Sequence, residues 1–141
     1  MSDQRPRVLF VCVKNGGKSQ MAAGLMKSRA GDTVEVHSAG TKPGSKINEL
    51  SAASLAEVGV DITGEKPKLI TEGDVRAADV VLTLGREAHV EPVPGTRFED
   101  WDTDEPSERG IEGMERMRLV RDDIDRRVQD LLTRLASDPR Q

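Results

Sequence analysis

The stretch Val8-Leu9-Phe10-Val11-Cys12-Val13-Lys14-Asn15-Gly16-Gly17-Lys18-Ser19-Gln20-Met21-Ala22-Ala23 decides the fold of this chain. Val8 to Val13 are apolar and β-prone, a small glycine-bearing turn follows, and the residues from Ser19 onward read as helix. Strand, loop and helix in that order aim several backbone N–H groups at one point. The helix start adds roughly half a positive charge there, so the hollow suits an anion. Cys12, the only cysteine of the chain, sits on its rim, where the groups that hold an oxyanion also stabilise a thiolate.

A cysteine ending an apolar strand is commonly plain packing. Its neighbours here argue otherwise. Gly16 and Gly17 permit positive φ where the loop curls, Asn15 tolerates the left-handed region, Lys18 supplies a cation, and Ser19 can cap the helix or donate to a thiolate. A Walker phosphate loop has four residues between its first glycine and Gly-Lys-Ser/Thr, so with Gly17-Lys18-Ser19 that first glycine would have to stand at Cys12. That motif is therefore excluded.

Working outward, the chain alternates strands and helices. The first strand, Arg7 to Cys12, is continuously apolar, as expected of a central parallel strand covered on both faces. Ser19 to Ala30 reads as helix, stopped by Gly31; Thr33 to Ser38 alternates like a strand; Asn48 opens a helix that Gly59 stops. Asp61 to Lys68 is loop, and Thr71 with Asp74 makes a capping-box start for a short helix ending near Ala78. Asp79 to Leu84 is a third strand, buried; Thr96 to Trp101 is a fourth, at an edge. From Glu112 to about Ser137, Met114, Met117, Val120, Ile124, Val128, Leu131, Leu132 and Leu135 recur at three- and four-residue steps, with pairs such as Asp122 and Arg126 on the solvated face. The fold class is α/β, a parallel sheet with right-handed crossovers and helices on both faces. Ligands of such sheets lie beyond the strand carboxyl ends, where Cys12 stands. His37, on a strand flank, reads as solvated or structural.

With 141 residues the chain makes one domain, residues 1–141, with 1–6 and 138–141 loose. The net charge of −4 and 14 arginines interspersed with acids argue against a nucleic-acid partner. No run approaches the roughly 18 apolar residues of a membrane span, and the first residues lack a signal-peptide core, so the expected location is the cytoplasm. One cysteine allows no internal disulfide and no multi-cysteine metal site.

Cys12 through Ser19 resembles the C-x5-R-S anion loop of low-molecular-weight protein tyrosine phosphatases and of the arsenate reductases that share their fold, with Lys18 at the arginine position. His37-Ser38-Ala39-Gly40-Thr41 is similar to that family's segment after the second strand, and Trp101 followed by Glu105-Pro106 resembles its acid loop. The resemblance runs from about Val8 to Leu132. Gly17-Lys18-Ser19-Gln20-Met21-Ala22-Ala23 and Gly113-Met114-Glu115-Arg116-Met117-Arg118 look most like actinobacterial arsenate–mycothiol transferases. The resemblance implies a four-stranded sheet of order 2-1-3-4 and assigns Val13, Lys14, Asn15, Gly16, Gly17, Lys18 and Ser19 to substrate binding. Cys12 is then the nucleophile, and Ser38 hydrogen-bonds Asn15 to hold the loop.

A departing oxygen needs a proton. The candidates are Asp102, Asp104 and Glu105, and the resemblance favours Glu105, with Asp104 second. Lysine at position 18 offers a compact charge in place of a two-pronged grip, which disfavours phosphoryl transfer. There is no tyrosine and one tryptophan, so a phenyl-stacking wall is missing and phosphotyrosine is disfavoured. Trp101 itself reads as an edge cover. Thioredoxin-coupled members of the resembling group carry two further cysteines after the third strand, and Gly85 to Gly95 has none. The expected activity is therefore arsenate–thiol transfer, with no tightly bound cofactor or metal, mycothiol or a similar small thiol as co-substrate, and a mycoredoxin-type partner. A phosphatase of small or protein phosphate esters and a catalytically weak oxyanion-binding module are the alternatives.

Overall fold

The structure, a computed structural model, describes residues 5–137. Its centre is β1 (Arg7–Cys12), whose side chains alternate between two apolar environments. Val8 and Phe10 enter one core, shared with Met21, Leu55, Ile124 and Leu131. Leu9 and Val11 enter the other, with Ala39, Val75 and Val81. A strand clad on both faces has no polar face to show, which is why its sequence runs apolar without alternation.

β2 (Glu35–Gly40) and β3 (Val80–Leu84) pair with β1 on either side, and β4 (Arg97–Trp101) pairs with β3. All pairings are parallel and the order is β2-β1-β3-β4. Helices α1 (Lys18–Ala30), α2 (Glu49–Ala56) and α4 (Gly113–Ser137) contribute to the larger core on one face of the sheet. The short α3 (Glu72–Ala77) places Val75 on the other. Local signals account for the starts of the middle helices. Asn48 accepts from Ser51 N at 2.9 Å at the head of α2, and Thr71 with Asp74 forms a reciprocal capping box on α3.

Several expectations are corrected. β2 lies two residues later than its alternation suggests, because Ala39 and Gly40 still pair with Val11 and Cys12 while Thr33 belongs to a 3-10 turn. Pro6 is buried and its carbonyl accepts from Glu35 N at 2.9 Å, so the start of the chain is tied down from there. The other residues expected to be loose, 1–4 and 138–141, lie outside the described residues. On α4, Arg126 pairs with Asp123 at 3.4 Å rather than with Asp122, which pairs with Arg121 at 2.9 Å. Trp101 is buried at the end of β4 with its ring centroid 5.6 Å from that of Phe10, so it covers the sheet edge as expected. Among the described residues no helix is long and apolar enough to cross a membrane.

Candidate active site

At the carboxyl end of β1 the chain turns through Val13–Gly17 into α1, and the turn is organised by Asn15. This residue is buried and is the only non-glycine with positive φ among the described residues, at 53°. Its side-chain oxygen accepts from Lys68 N at 2.9 Å and from Gln20 Nε2 at 3.2 Å, which fixes the amide orientation. Its Nδ2 then donates to Ser19 Oγ at 2.7 Å. Ser19 Oγ lies 2.9 Å from Cys12 Sγ, and with one lone pair already taken by Asn15 its hydroxyl hydrogen is free to donate to sulfur. Asn15 N donates to the same sulfur at 3.3 Å. The sulfur therefore sits at the focus of two donors, one a side-chain hydroxyl and one a backbone N–H.

Two expected roles fall differently. The left-handed bend belongs to Asn15, and neither Gly16 nor Gly17 has positive φ. Gly16 serves close approach instead: a Cβ there would stand 2.8 Å from the Lys46 carbonyl oxygen. Ser19 donates into the site and does not cap α1, whose N-cap is Gly17, with no side-chain cap hydrogen bond. Among the described residues the N–H groups of Gly16 and Gly17 donate to no protein atom, so they remain available to a ligand.

Ser38 does not hold Asn15. It is buried on β2 opposite Phe10, and the partners of the Asn15 side chain are Ser19, Gln20 and Lys68. The contribution of this segment to the loop comes from Gly40. A Cβ on Gly40 would lie 2.7 Å from Val13 O and 2.9 Å from Asn15 Cβ. Gln20 was not foreseen as a support, and its signal was a polar residue on the buried side of a helix beside Ser19.

The cradle opens into a cleft of about 830 Å³ lined by Cys12, Val13, Lys14, Gly16, Gly17 and Lys18, by residues 44–51 and by Leu84, Gly85, Glu87, Glu105, Arg116, Met117 and Val120. Glu105 enters this mouth, while the other two acid candidates are engaged elsewhere. Asp104 is paired with Arg109 at 2.8 Å and Asp102 with Arg86 at 3.0 Å. Lys18 Nζ is ion-paired with Glu105 Oε1, and Arg116 Nη2 donates to Glu105 Oε2 at 3.1 Å. Partial burial pushes the Glu105 carboxyl up, but the hydrogen bonds from Lys18 and Arg116 together outweigh it and hold the group below its ordinary value. Arg116 is a functional candidate that sequence reasoning did not single out. Lys14 is exposed at the rim, and His37 is exposed on β2, paired with Glu35 at 2.9 Å.

Among the described residues no group of His, Cys, Asp and Glu could hold a metal ion. The donors instead suit an oxyanion beside a sulfur nucleophile, with a carboxyl and two cations at the mouth.

Residues 7–141 match the family model described as low molecular weight phosphotyrosine protein phosphatase. A glutaredoxin arsenate reductase of Synechocystis is 32% identical over 133 residues, covering 92% of this chain and 98% of that protein. Among solved structures, the thioredoxin-dependent arsenate reductase of Corynebacterium glutamicum superposes with a TM-score of 0.82 at 35% identity over 96% of this chain. This chain spans only 64% of that one. An arsenate reductase in the phosphate binding state superposes with a TM-score of 0.80 at 31% identity, covering 92% of this chain and 98% of that chain. The chain thus belongs to the low-molecular-weight phosphotyrosine protein phosphatase family, with arsenate reductases among its relatives.

Proposed function

We propose that this protein is an arsenate reductase that works as an arsenate–thiol transferase, with mycothiol or a similar small thiol as co-substrate and a mycoredoxin-type protein as reductant. The observation that carries this reading is a single sulfur at the focus of an anion cradle, in a chain with no second cysteine. Cys12 Sγ attacks arsenic, an As–S bond forms and an As–O bond breaks. The departing oxygen leaves as water; Glu105, ionised while Lys18 and Arg116 both hold it, takes up a proton and passes it to that oxygen once the oxyanion draws Lys18 away. Arsenic stays in the +5 state at this point. The external thiol then displaces Cys12 at arsenic, giving an arseno-thiol and the regenerated enzyme thiolate. The redoxin attacks the sulfur of that adduct, so a disulfide forms and the As–S electron pair reduces arsenic to +3.

The cleft of about 830 Å³ supports a co-substrate as well as an oxyanion, since small-molecule sites span roughly 300–1,000 Å³. Trp101, the only tryptophan, is buried under the sheet edge and lines no part of the mouth, which weighs against an aryl phosphate. The redox partners in the names of the relatives, glutaredoxin and thioredoxin, differ from one another. The partner of this chain therefore has to be argued from its own cysteine count.

Arsenate turnover with mycothiol and mycoredoxin tests the proposal. It is expected to require both, to vanish in Cys12→Ser and to fall in Glu105→Gln. Multiple turnovers with thioredoxin and its reductase, without any small thiol, would overturn it. Hydrolysis of p-nitrophenyl phosphate without thiol would favour the phosphatase reading, and phosphate binding without either turnover would favour a binding module.

A further inference from the structure

Glu105 stands between two cations that use different oxygens: Lys18 is on Oε1 and Arg116 on Oε2. Arg116 is under-used in this arrangement. Its Nε is buried and has no hydrogen-bond partner, although Nη2 on the same edge of the guanidinium already touches Glu105 at 3.1 Å. A buried donor left unpaired is uncommon and asks for a reason. The Nε/Nη2 edge is the fork that grips both oxygens of a carboxylate, and one of those oxygens is occupied by Lys18. Lys18 also precedes Ser19 and lines the cleft with Cys12, so an oxyanion in the cradle competes with Glu105 for its ammonium.

We propose that Lys18 is a shared cation, held by Glu105 until an oxyanion takes it, and that Arg116 is the positioning residue that closes two-pronged on Glu105 when Lys18 leaves. Arg116 thereby keeps the carboxyl at the mouth with one cationic partner fewer. This deepens the function proposed above and rests on its oxyanion site. Glu105 and the oxyanion are both anions, so exchange has to be separated from simple repulsion. Repulsion acts whether or not Lys18 is present, whereas competition needs Lys18. Removing the competitor must therefore help an oxyanion more when the shared cation is there.

Inorganic phosphate, read by its protection of Cys12 against iodoacetamide, tests the exchange without turnover. Glu105→Gln is expected to tighten phosphate about tenfold more in the Lys18 chain than in Lys18→Met, the size of coupling typical of groups in contact. Equal tightening in both backgrounds overturns the exchange while leaving the oxyanion site intact. Failure of phosphate to protect Cys12 at all overturns the site and the exchange together. For Arg116, Arg116→Met is expected to lower arsenate kcat about tenfold, a part of what acid catalysis contributes, with a smaller fall in phosphate affinity because Glu105 then gives up Lys18 with no fork to close on it. Arg116→Lys, which keeps the charge but not the fork, recovers part of the rate and guards against loss of fold. An unchanged kcat in Arg116→Met, or a fall in phosphate affinity by the same factor as kcat, overturns the positioning role.

Discussion

Asn15 Nδ2 donates to Ser19 Oγ at 2.7 Å, and Ser19 Oγ lies 2.9 Å from Cys12 Sγ, so one buried amide orients the hydroxyl that faces the sulfur. Because Asn15 also holds φ at 53°, its backbone and side-chain roles can be separated. Asn15→Ala loses the acceptor of the part-buried Lys68 N–H, about 1 kcal/mol, and adds about 1 kcal/mol for a left-handed residue with a Cβ. Asn15→Gly loses the acceptor alone. Urea unfolding should place the glycine variant about 1 kcal/mol above the alanine variant. Equal stabilities would mean that the bend carries no backbone cost. Ser19→Ala leaves the buried Asn15 Nδ2 without its acceptor and should cost about 1–3 kcal/mol in the same urea experiment.

Lysine at position 18 gives the cradle a point charge where a guanidinium would give a fork. Lys18→Arg is expected to tighten inorganic phosphate by about fivefold, on the order of 1 kcal/mol for a second charge-assisted contact. Protection of Cys12 from iodoacetamide measures it. Affinity that does not change would remove residue 18 from direct contact with the oxyanion.

The pattern Val8–Val13 followed by glycines was enough to place β1, the loop and α1, because burial on both faces of a central strand leaves a continuous apolar run. Residue type likewise singled out Cys12 and Ser19, whereas among three acid candidates only the family resemblance favoured Glu105, which shares the cleft with Cys12. Three features were hidden for physical reasons. Gly40 lies beyond the strand that alternation predicts, Thr33 to Ser38, yet it continues the β2 pairing and gives the loop room. Asn15 finds its partners at Gln20 and at Lys68, and the second of these is a backbone group with no signature in sequence. Arg116 shares its helix with five other arginines, and its role depends on where α4 begins relative to the acid loop, a tertiary fact.

Glu57 joins α2 to α4 through Arg118 at 2.7 Å and Arg121 at 2.8 Å. The hydrogen bonds from Arg118 and then Arg121 lower its carboxyl from 4.5 to about 2. A folded-state value below the unfolded one stabilises the fold at all pH above the unfolded value, and this contribution disappears as pH falls towards the folded one. Thermal unfolding of the wild type should therefore show a Tm decline between pH 4.5 and about pH 2 that is shallower in Glu57→Gln. Parallel declines in the two proteins would show that the α2–α4 ion pairs add nothing in solution, as exposed pairs commonly do.

Gly40 offers the sharpest test of how the sheet shapes the cradle. A methyl group there would stand 2.7 Å from Val13 O, 2.9 Å from Asn15 Cβ and 3.1 Å from Asn15 N. Two of these are backbone atoms, and the third belongs to the residue that organises the loop, so no flexible side-chain end can move aside. Gly40→Ala must push the Val13–Asn15 segment off its position, at a cost of about 1–3 kcal/mol for overpacking. The displaced Asn15 would draw its N–H from Cys12 Sγ and its amide from Ser19. Gly44→Ala is the matched control, because a Cβ at 44 meets Lys14 Cβ at 3.8 Å and Lys14 O at 3.9 Å, ordinary contact distances. Phosphate protection of Cys12 should fall at least tenfold in Gly40→Ala, about 1.4 kcal/mol of lost oxyanion binding, and stay unchanged in Gly44→Ala. Full protection in Gly40→Ala would mean that the cradle is shaped by its own sequence alone, without the neighbouring strand.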